Sequence, residues 1–127
     1  MAKHLILSNS TLLIRVTAER IAYISSDGSY STMVLVDGKQ HIFSFNLSAF
    51  EKQLEQQLGT ESQVFIRLGK GLIINSNYIY SINISRQELV LSGIGFKDDF
   101  ALSASKEALK LLKTVLEESI KSRRIGI

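Results

Sequence analysis

Two Asp-Gly pairs divide a long β-rich segment in the first half of the chain, and they restrict the folds open to it. Asp27-Gly28 and Asp37-Gly38 interrupt residues 21–47, which are otherwise rich in β-branched and aromatic side chains (IAYISSDGSYSTMVLVDGKQHIFSFNL). Asp-Gly between two such runs is a strong short-range signal for a β-hairpin. A further β-rich run precedes them at residues 11–18 (TLLIRVTA). The segment therefore predicts short antiparallel strands joined by tight turns.

A short helix is predicted in the middle of the chain. Ser48 stands three residues before Glu51, which is the spacing of a capping box at a helix start. Gly59 is the natural end of this helix. The apolar side chains between these points recur on one helical stripe, and they are Phe50, Leu54 and Leu58.

The second half returns to short β-rich runs and then ends in a helix. The runs occupy residues 63–68, 72–74, 78–84, 88–93 and 100–105. Ser105 is a plausible N-cap for a helix from Lys106 to Lys121, with Arg123 and Arg124 beyond it in a frayed tail. The helix carries an apolar stripe at Ala108, Leu109, Leu112, Leu116 and Ile120. We predict one domain over residues 1–127, mostly β with two helices (α+β) and built from short antiparallel strands.

Charge is distributed unevenly along the chain. The formal net charge is +3, and the whole excess lies in residues 100–127. In that segment Lys106, Lys110, Lys113, Lys121, Arg123 and Arg124 stand against Glu107, Glu117 and Glu118. A basic segment suits an anionic partner such as nucleic acid. A solvated helix face is the alternative interpretation.

Signals for catalysis are weak. The chain has no cysteine, which excludes thiol catalysis and cysteine-based zinc sites. His4 and His41 have no partner residue at a motif spacing. The Gly-Lys-Gly at residues 69–71 lacks the spacing of a Walker phosphate loop. We predict no enzymatic activity, no cofactor and no metal.

Targeting signals are also lacking in the sequence. The N-terminal apolar run is too short for the core of a signal peptide. No apolar run approaches the ~20 residues that a membrane-spanning helix needs. We expect a cytoplasmic protein that does not enter the membrane.

Lys70 occupies an unusual position between Gly69 and Gly71, with apolar residues on both sides (RLGKGLIIN, residues 67–75). Glycines permit positive φ and a close approach by another molecule. The lysine is therefore either a contact for phosphate or a groove, or a solubilising side chain at a turn.

The order of these features resembles the LytTR family of bacterial DNA-binding domains. The hairpin segment RIAYISSDGSYSTMVLVDGK precedes a short helix, FIRLGKGLIINSNYI and a strand that leads into a serine-capped helix. The match extends from about Ile21 to Leu116, with residues 1–20 as an N-terminal strand extension and 117–127 as a basic tail. The residues at family positions in the middle piece are Phe65, Arg67, Leu72, Ile74, Asn75 and Ile79.

This resemblance implies a LytTR-like β fold that contacts double-stranded DNA through loops rather than through a recognition helix. Three loops are implicated, and the residues that match them fall into three groups. They are Ser29, Tyr30 and Ser31; Gly69, Lys70 and Gly71; and Ser105, Lys106 and Glu107. The function expected is sequence-specific DNA binding by a stand-alone transcriptional regulator. Such a regulator would form a homodimer on two-fold DNA sites, and any regulation would come from a separate signalling protein, from dimerisation, or not at all.

Two departures from the family pattern leave an alternative open. The family usually has His-Arg-Ser where this chain has the glycine-flanked Lys70, and a basic residue where it has Glu107. Lysine is a point charge that suits phosphate but not bidentate readout of guanine. Glu107 can accept from cytosine or repel the backbone. The alternative function is a protein-interaction module on a LytTR-like fold whose DNA binding is weakened or lost.

Overall fold

The computed structural model describes residues 3–125, with side chains described as far as Ile120. This part of the chain contains ten strands, two α-helices and three short 3₁₀ segments. The strands are β1 (His4–Ser8), β2 (Leu13–Thr17), β3 (Ile21–Asp27), β4 (Tyr30–Leu35), β5 (Gln40–Phe43), β6 (Phe65–Leu68), β7 (Leu72–Asn75), β8 (Ile79–Asn83), β9 (Glu88–Leu91) and β10 (Phe100–Ser103). The helices are α1 (Leu47–Leu58) and α2 (Lys106–Ile125). All strand pairs are antiparallel, so the predicted fold class is confirmed.

A five-stranded sheet in the order β5-β4-β3-β7-β6 forms the centre of the fold. Successive residues of a strand point to opposite faces of a sheet. In β7, Ile73 accordingly joins one hydrophobic core, while Leu72 and Ile74 join another. Both faces of β7 are therefore covered, and its sequence LIIN is apolar at every position but the last.

The first core lies between the central sheet, α1 and the β1–β2 hairpin. Phe50, Leu54 and Leu58 of α1 are fully or almost fully buried there, as their helical spacing predicts. Leu5 and Leu7 of β1 pack into the same core. Residues 4–17 therefore form a pair of strands in a sheet of their own, whereas we had expected one N-terminal strand.

The start of α1 differs from the predicted capping box. Asn46 is the N-cap, and its side-chain oxygen accepts a hydrogen bond from the Ala49 amide at 2.9 Å. Ser48 and Glu51 lie inside the helix, and their oxygens accept hydrogen bonds from Arg67 instead. Asn and Ser are similarly good caps, so residue type alone does not choose between Asn46 and Ser48. In the structure Asn46 caps the helix and Ser48 bonds to Arg67. The helix ends at Gly59 with φ +57°, as predicted.

The second core lies on the opposite face of the central sheet. It is covered by the three-stranded sheet β10-β9-β8 and by α2, whose Leu109 and Leu112 are buried. Of the predicted α2 stripe, Ile120 remains about half exposed. Helix α2 extends to Ile125, so Arg123 and Arg124 belong to the helix and not to a tail beyond it. Their side chains lie outside the described part. Neither α-helix within residues 3–125 is long and apolar enough to cross a membrane.

Asn75 ties the end of β7 to the segment before β3. Its side-chain nitrogen donates to the carbonyls of Ala18 and Ile21 at 3.2 and 3.0 Å, and its side-chain oxygen accepts from the Asn77 amide at 3.1 Å. The residue is 1% exposed. Removing the side chain would take a donor from each of these buried carbonyls, of which Ala18 keeps one from the Ile21 amide. The loss of a partner in a buried position costs more than the hydrogen bond itself contributes.

We expect Asn75→Ala to lower the free energy of unfolding by about 2–3 kcal/mol. Asn77→Ala is the matched control, because the exposed Asn77 contributes only its backbone amide to this network. Urea unfolding of both variants measures the difference. Equal losses in the two variants would show that the buried amide has no special role.

Candidate nucleic-acid interface

Two hairpin turns lie side by side at one end of the central sheet. The β3–β4 turn follows Asp27, and the β6–β7 turn precedes Leu72. Ser25 of β3 is paired with Leu72 of β7. Beyond that pair, the Ser26 amide donates to the Gly71 carbonyl at 2.9 Å. The first and second predicted loops are therefore neighbours in the structure.

The first loop presents two of its three predicted residues. Gly28 has φ +65°, a conformation that glycine adopts without strain. The Ser26 hydroxyl donates to the Gly28 carbonyl at 3.3 Å. Ser29 and Tyr30 follow on the surface, and Tyr30 is 54% exposed. Both side chains are accessible to a large partner.

Ser31 is placed differently from its two neighbours. It is completely buried, and its hydroxyl donates to the Phe45 carbonyl at 2.7 Å. The contact joins β4 to the segment that leads into α1. Strand alternation explains the difference, because consecutive residues of β4 point to opposite faces. The Ser31 hydroxyl is therefore not available to a duplex.

The second loop exposes a lysine on a three-residue turn. Gly69, with φ +64°, begins the turn, and Gly71 ends it. All three residues of the turn are exposed. Among the described side chains, none forms an ion pair or a hydrogen bond with the Lys70 ammonium group. The cation is thus free to meet an external anion.

The third loop is the junction between β10 and α2. The Ser105 hydroxyl oxygen accepts from the Ala108 amide at 3.1 Å, so the predicted N-cap is confirmed. The hydroxyl still has its own proton to donate. Lys106 and Glu107 follow on the first turn of α2, and both are exposed.

An open cleft of about 500 Å³ connects the second loop with the third. Residues 69–71 line one side, and residues 103–105 line the other. Tyr23 and Ser25 of β3 also line this cleft. Burial raises the pKa of Tyr23 above its ordinary value. Sequence patterns did not single out Tyr23 or Ser25, because only the packing of β3 against the second core places them there.

The charges at this end of the molecule are nearly balanced. Lys70 and Lys106 are exposed, but so are Asp27 and Glu107. Lys110 follows Lys106 by one turn of α2 and is exposed as well. A balanced surface attracts an anionic polymer less strongly than a basic patch does.

Comparisons with known proteins identify the family. The sequence model of the LytTr DNA-binding domain matches residues 12–117. The chain belongs to the LytTR family of DNA-binding domains. A solved LytTr domain, from a protein of Bacillus cereus described as a methyl-accepting/DNA response regulator, has the same fold with a TM-score of 0.62 and 17% sequence identity. That match covers 90% of this chain and 96% of the other. No curated protein matches the chain in sequence.

Membership in the LytTR family supports DNA binding in general. The family is one of DNA-binding domains. Within residues 3–125, no group of three or more His, Asp or Glu side chains is arranged to hold a metal ion. The family match supports DNA as a partner.

The two glycines of the second loop should respond differently to substitution. Gly69 has φ +64° and open space where an alanine methyl group would lie, whereas Gly71 lacks a positive φ and its methyl group would make an ordinary contact at 3.7 Å. We expect Gly69→Ala to lower the free energy of unfolding by about 1–2 kcal/mol through backbone strain. Gly71→Ala should be close to neutral. Thermal unfolding distinguishes the two, and equal effects would contradict the described turn.

Proposed function

We propose that this chain is a sequence-specific double-stranded DNA binder that regulates transcription and contacts the duplex with the tips of its three loops. The observation that carries the proposal is the contiguity of those tips. A backbone hydrogen bond joins the first loop to the second, and one cleft joins the second to the third. A surface assembled from three separate turns would contact a duplex at more than one point.

Phosphate contacts would supply most of the affinity. Lys70 is the leading candidate, because it is exposed and has no partner among the described side chains. Lys106 adds its charge to the positive end of the α2 dipole, an arrangement that is unfavourable for folding and favourable for an anion. With Lys110 on the next turn, about three phosphates would be neutralised by each copy of the protein.

Hydroxyl groups would supply the sequence readout. Ser29 and Tyr30 are exposed on the first loop, and Ser105 retains a donor proton after capping α2. The three loops carry no arginine, so bidentate readout of guanine by an arginine fork is not available to them. Ser31 is not included, since its hydroxyl is already bonded inside the fold.

A few contacts on a nearly neutral surface give each copy modest affinity. Two copies on adjacent half-sites would add their contacts through the high effective concentration of the second copy. We therefore propose a homodimer on two-fold DNA sites, in the cytoplasm of a bacterium, with regulation by dimerisation or by a separate signalling protein. Selection of bound duplexes from a random pool tests this proposal. Recovery of a repeated half-site supports it, and recovery of unrelated sequences contradicts it.

Lys70→Ala should weaken binding to duplexes of any sequence. On a short duplex that holds a single copy, wild-type affinity should fall with salt at a log–log slope of roughly −3, and the variant should lose about one unit of that slope. Lys39→Ala removes the same charge and serves as the control. Lys39 lies next to the β4–β5 turn, at the end of β4 opposite the first loop. Fluorescence anisotropy over a range of salt concentrations measures both. If the two variants have the same slope, Lys70 does not contact the phosphates.

One observation favours the alternative of a protein-interaction module. Leu111 and Val115 of α2 are 71% and 58% exposed, and with Ile66 and Leu68 of β6 they line an apolar groove of about 210 Å³. Exposed apolar surface of this kind often marks a protein contact.

Retention on immobilised random duplex at about 50 mM salt separates the two functions. Passage without retention would favour the protein-interaction module.

A further inference from the structure

We infer that Arg67 is a positioning residue that holds the Lys70 turn to α1 in the conformation presented to DNA. The effect of Arg67 on DNA binding rests on the proposed function. The contacts of Arg67 with the turn and with α1 are made in the free protein. Arg67 lies on β6, immediately before the turn. Its Nη1 lies 3.4 Å from Glu51 Oε1, and the guanidinium also donates hydrogen bonds to the turn.

The Arg67 guanidinium bonds to the turn that follows it. Its Nε donates to the Gly69 carbonyl at 3.2 Å, and its Nη2 donates to the Lys70 carbonyl at 3.2 Å. The Gly71 carbonyl accepts from the Ser26 amide. All three carbonyl oxygens of the turn are thus engaged within the protein. This leaves the Lys70 side chain as the charged group that the turn offers to a partner.

The remaining Arg67 nitrogen anchors the turn to a rigid element. Nη1 donates to the Ser48 hydroxyl at 3.1 Å as well as to Glu51. Both acceptors lie in the first turns of α1, which is fixed by the fully buried Phe50. The guanidinium therefore links a glycine-flanked turn, which would otherwise be loosely ordered, to the first hydrophobic core.

Only arginine can make this set of contacts. Its planar fork presents five donors in fixed directions, whereas lysine presents three donors from a single point. Arg67→Lys therefore retains the charge and loses the geometry. An arginine that touched phosphate directly would be replaced by lysine with a small loss, since lysine also binds phosphate as a point charge. The substitution separates positioning from direct contact.

The first measurement uses the free protein. The chain has eight glycines, so ¹⁵N-glycine labelling gives a simple spectrum in which Gly69 and Gly71 report on the turn. We expect Arg67→Lys to lower the heteronuclear NOE of these two amides and to leave Gly38 and Gly95 unchanged. Arg15→Lys, at an exposed position of β2, is the matched control. Unchanged Gly69 and Gly71 signals in Arg67→Lys would overturn the inference.

The second measurement is a double-mutant cycle with a random-sequence duplex at low salt. Arg67→Lys should weaken binding about five- to ten-fold, because the turn must now be ordered on binding. In a Lys70→Ala background the same substitution should have little further effect. Additive losses would overturn the inference, since Arg67 would then contact DNA independently of Lys70. If the wild type does not bind the duplex, the proposed function fails, while the glycine amides still decide whether Arg67 orders the turn.

Discussion

The pairing of β3 with β7 is the interaction on which the rest of the structure depends. It joins two hairpins that are far apart in the sequence and sets their turns beside each other. Its register is fixed by the two cores, because Ile73 belongs to one and Ile74 to the other. A shift by one residue would exchange the two faces of the strand. The alignment of the first and second loops is thus a consequence of core packing.

The third loop is placed by the second core. Leu109 and Leu112 are buried in the second core, between the central sheet and the three-stranded β10-β9-β8 sheet. Helix α2 must therefore begin close to the end of β10, where Ser105 caps it. The surface proposed to meet DNA is accordingly formed by turns that extend from rigid strands and a rigid helix. Only the residues of the turns themselves are not constrained by core packing. This division is common where loops on a stable scaffold carry function.

Much of the fold could be predicted from the sequence because its signals are local. Asp27-Gly28 lies in one hairpin turn, Gly59 ends α1 and Ser105 caps α2, as expected. The family resemblance also correctly indicated a LytTR domain. The start of α1 was wrong by two residues, because Asn46 and Ser48 are both good caps and only the contact with Arg67 separates them.

Other features depended on contacts that no local pattern contains. Ser31 and Ser29 are both serines beside one turn, but Ser31 lies on β4 and faces the core, whereas Ser29 lies in the exposed turn itself. The bonds from Arg67 to the carbonyls of its own turn depend on the shape of that turn. The pairing of Ser25 with Leu72, which gathers the loops, depends on the non-local arrangement of the sheet. The family resemblance therefore indicated which turns to propose as a DNA surface, and the structure supplied the reason that they lie together.

The most direct test is a titration of the labelled protein with a duplex recovered by selection, followed by backbone amide chemical shifts. The account predicts that residues 29–30, 69–71 and 105–106 shift together as one contiguous surface. Gly38 and Gly95, which lie away from these loops, should not move. Shifts confined to the far end of the sheet, or to the exposed apolar side of α2, would contradict the claim that three loop tips meet one duplex.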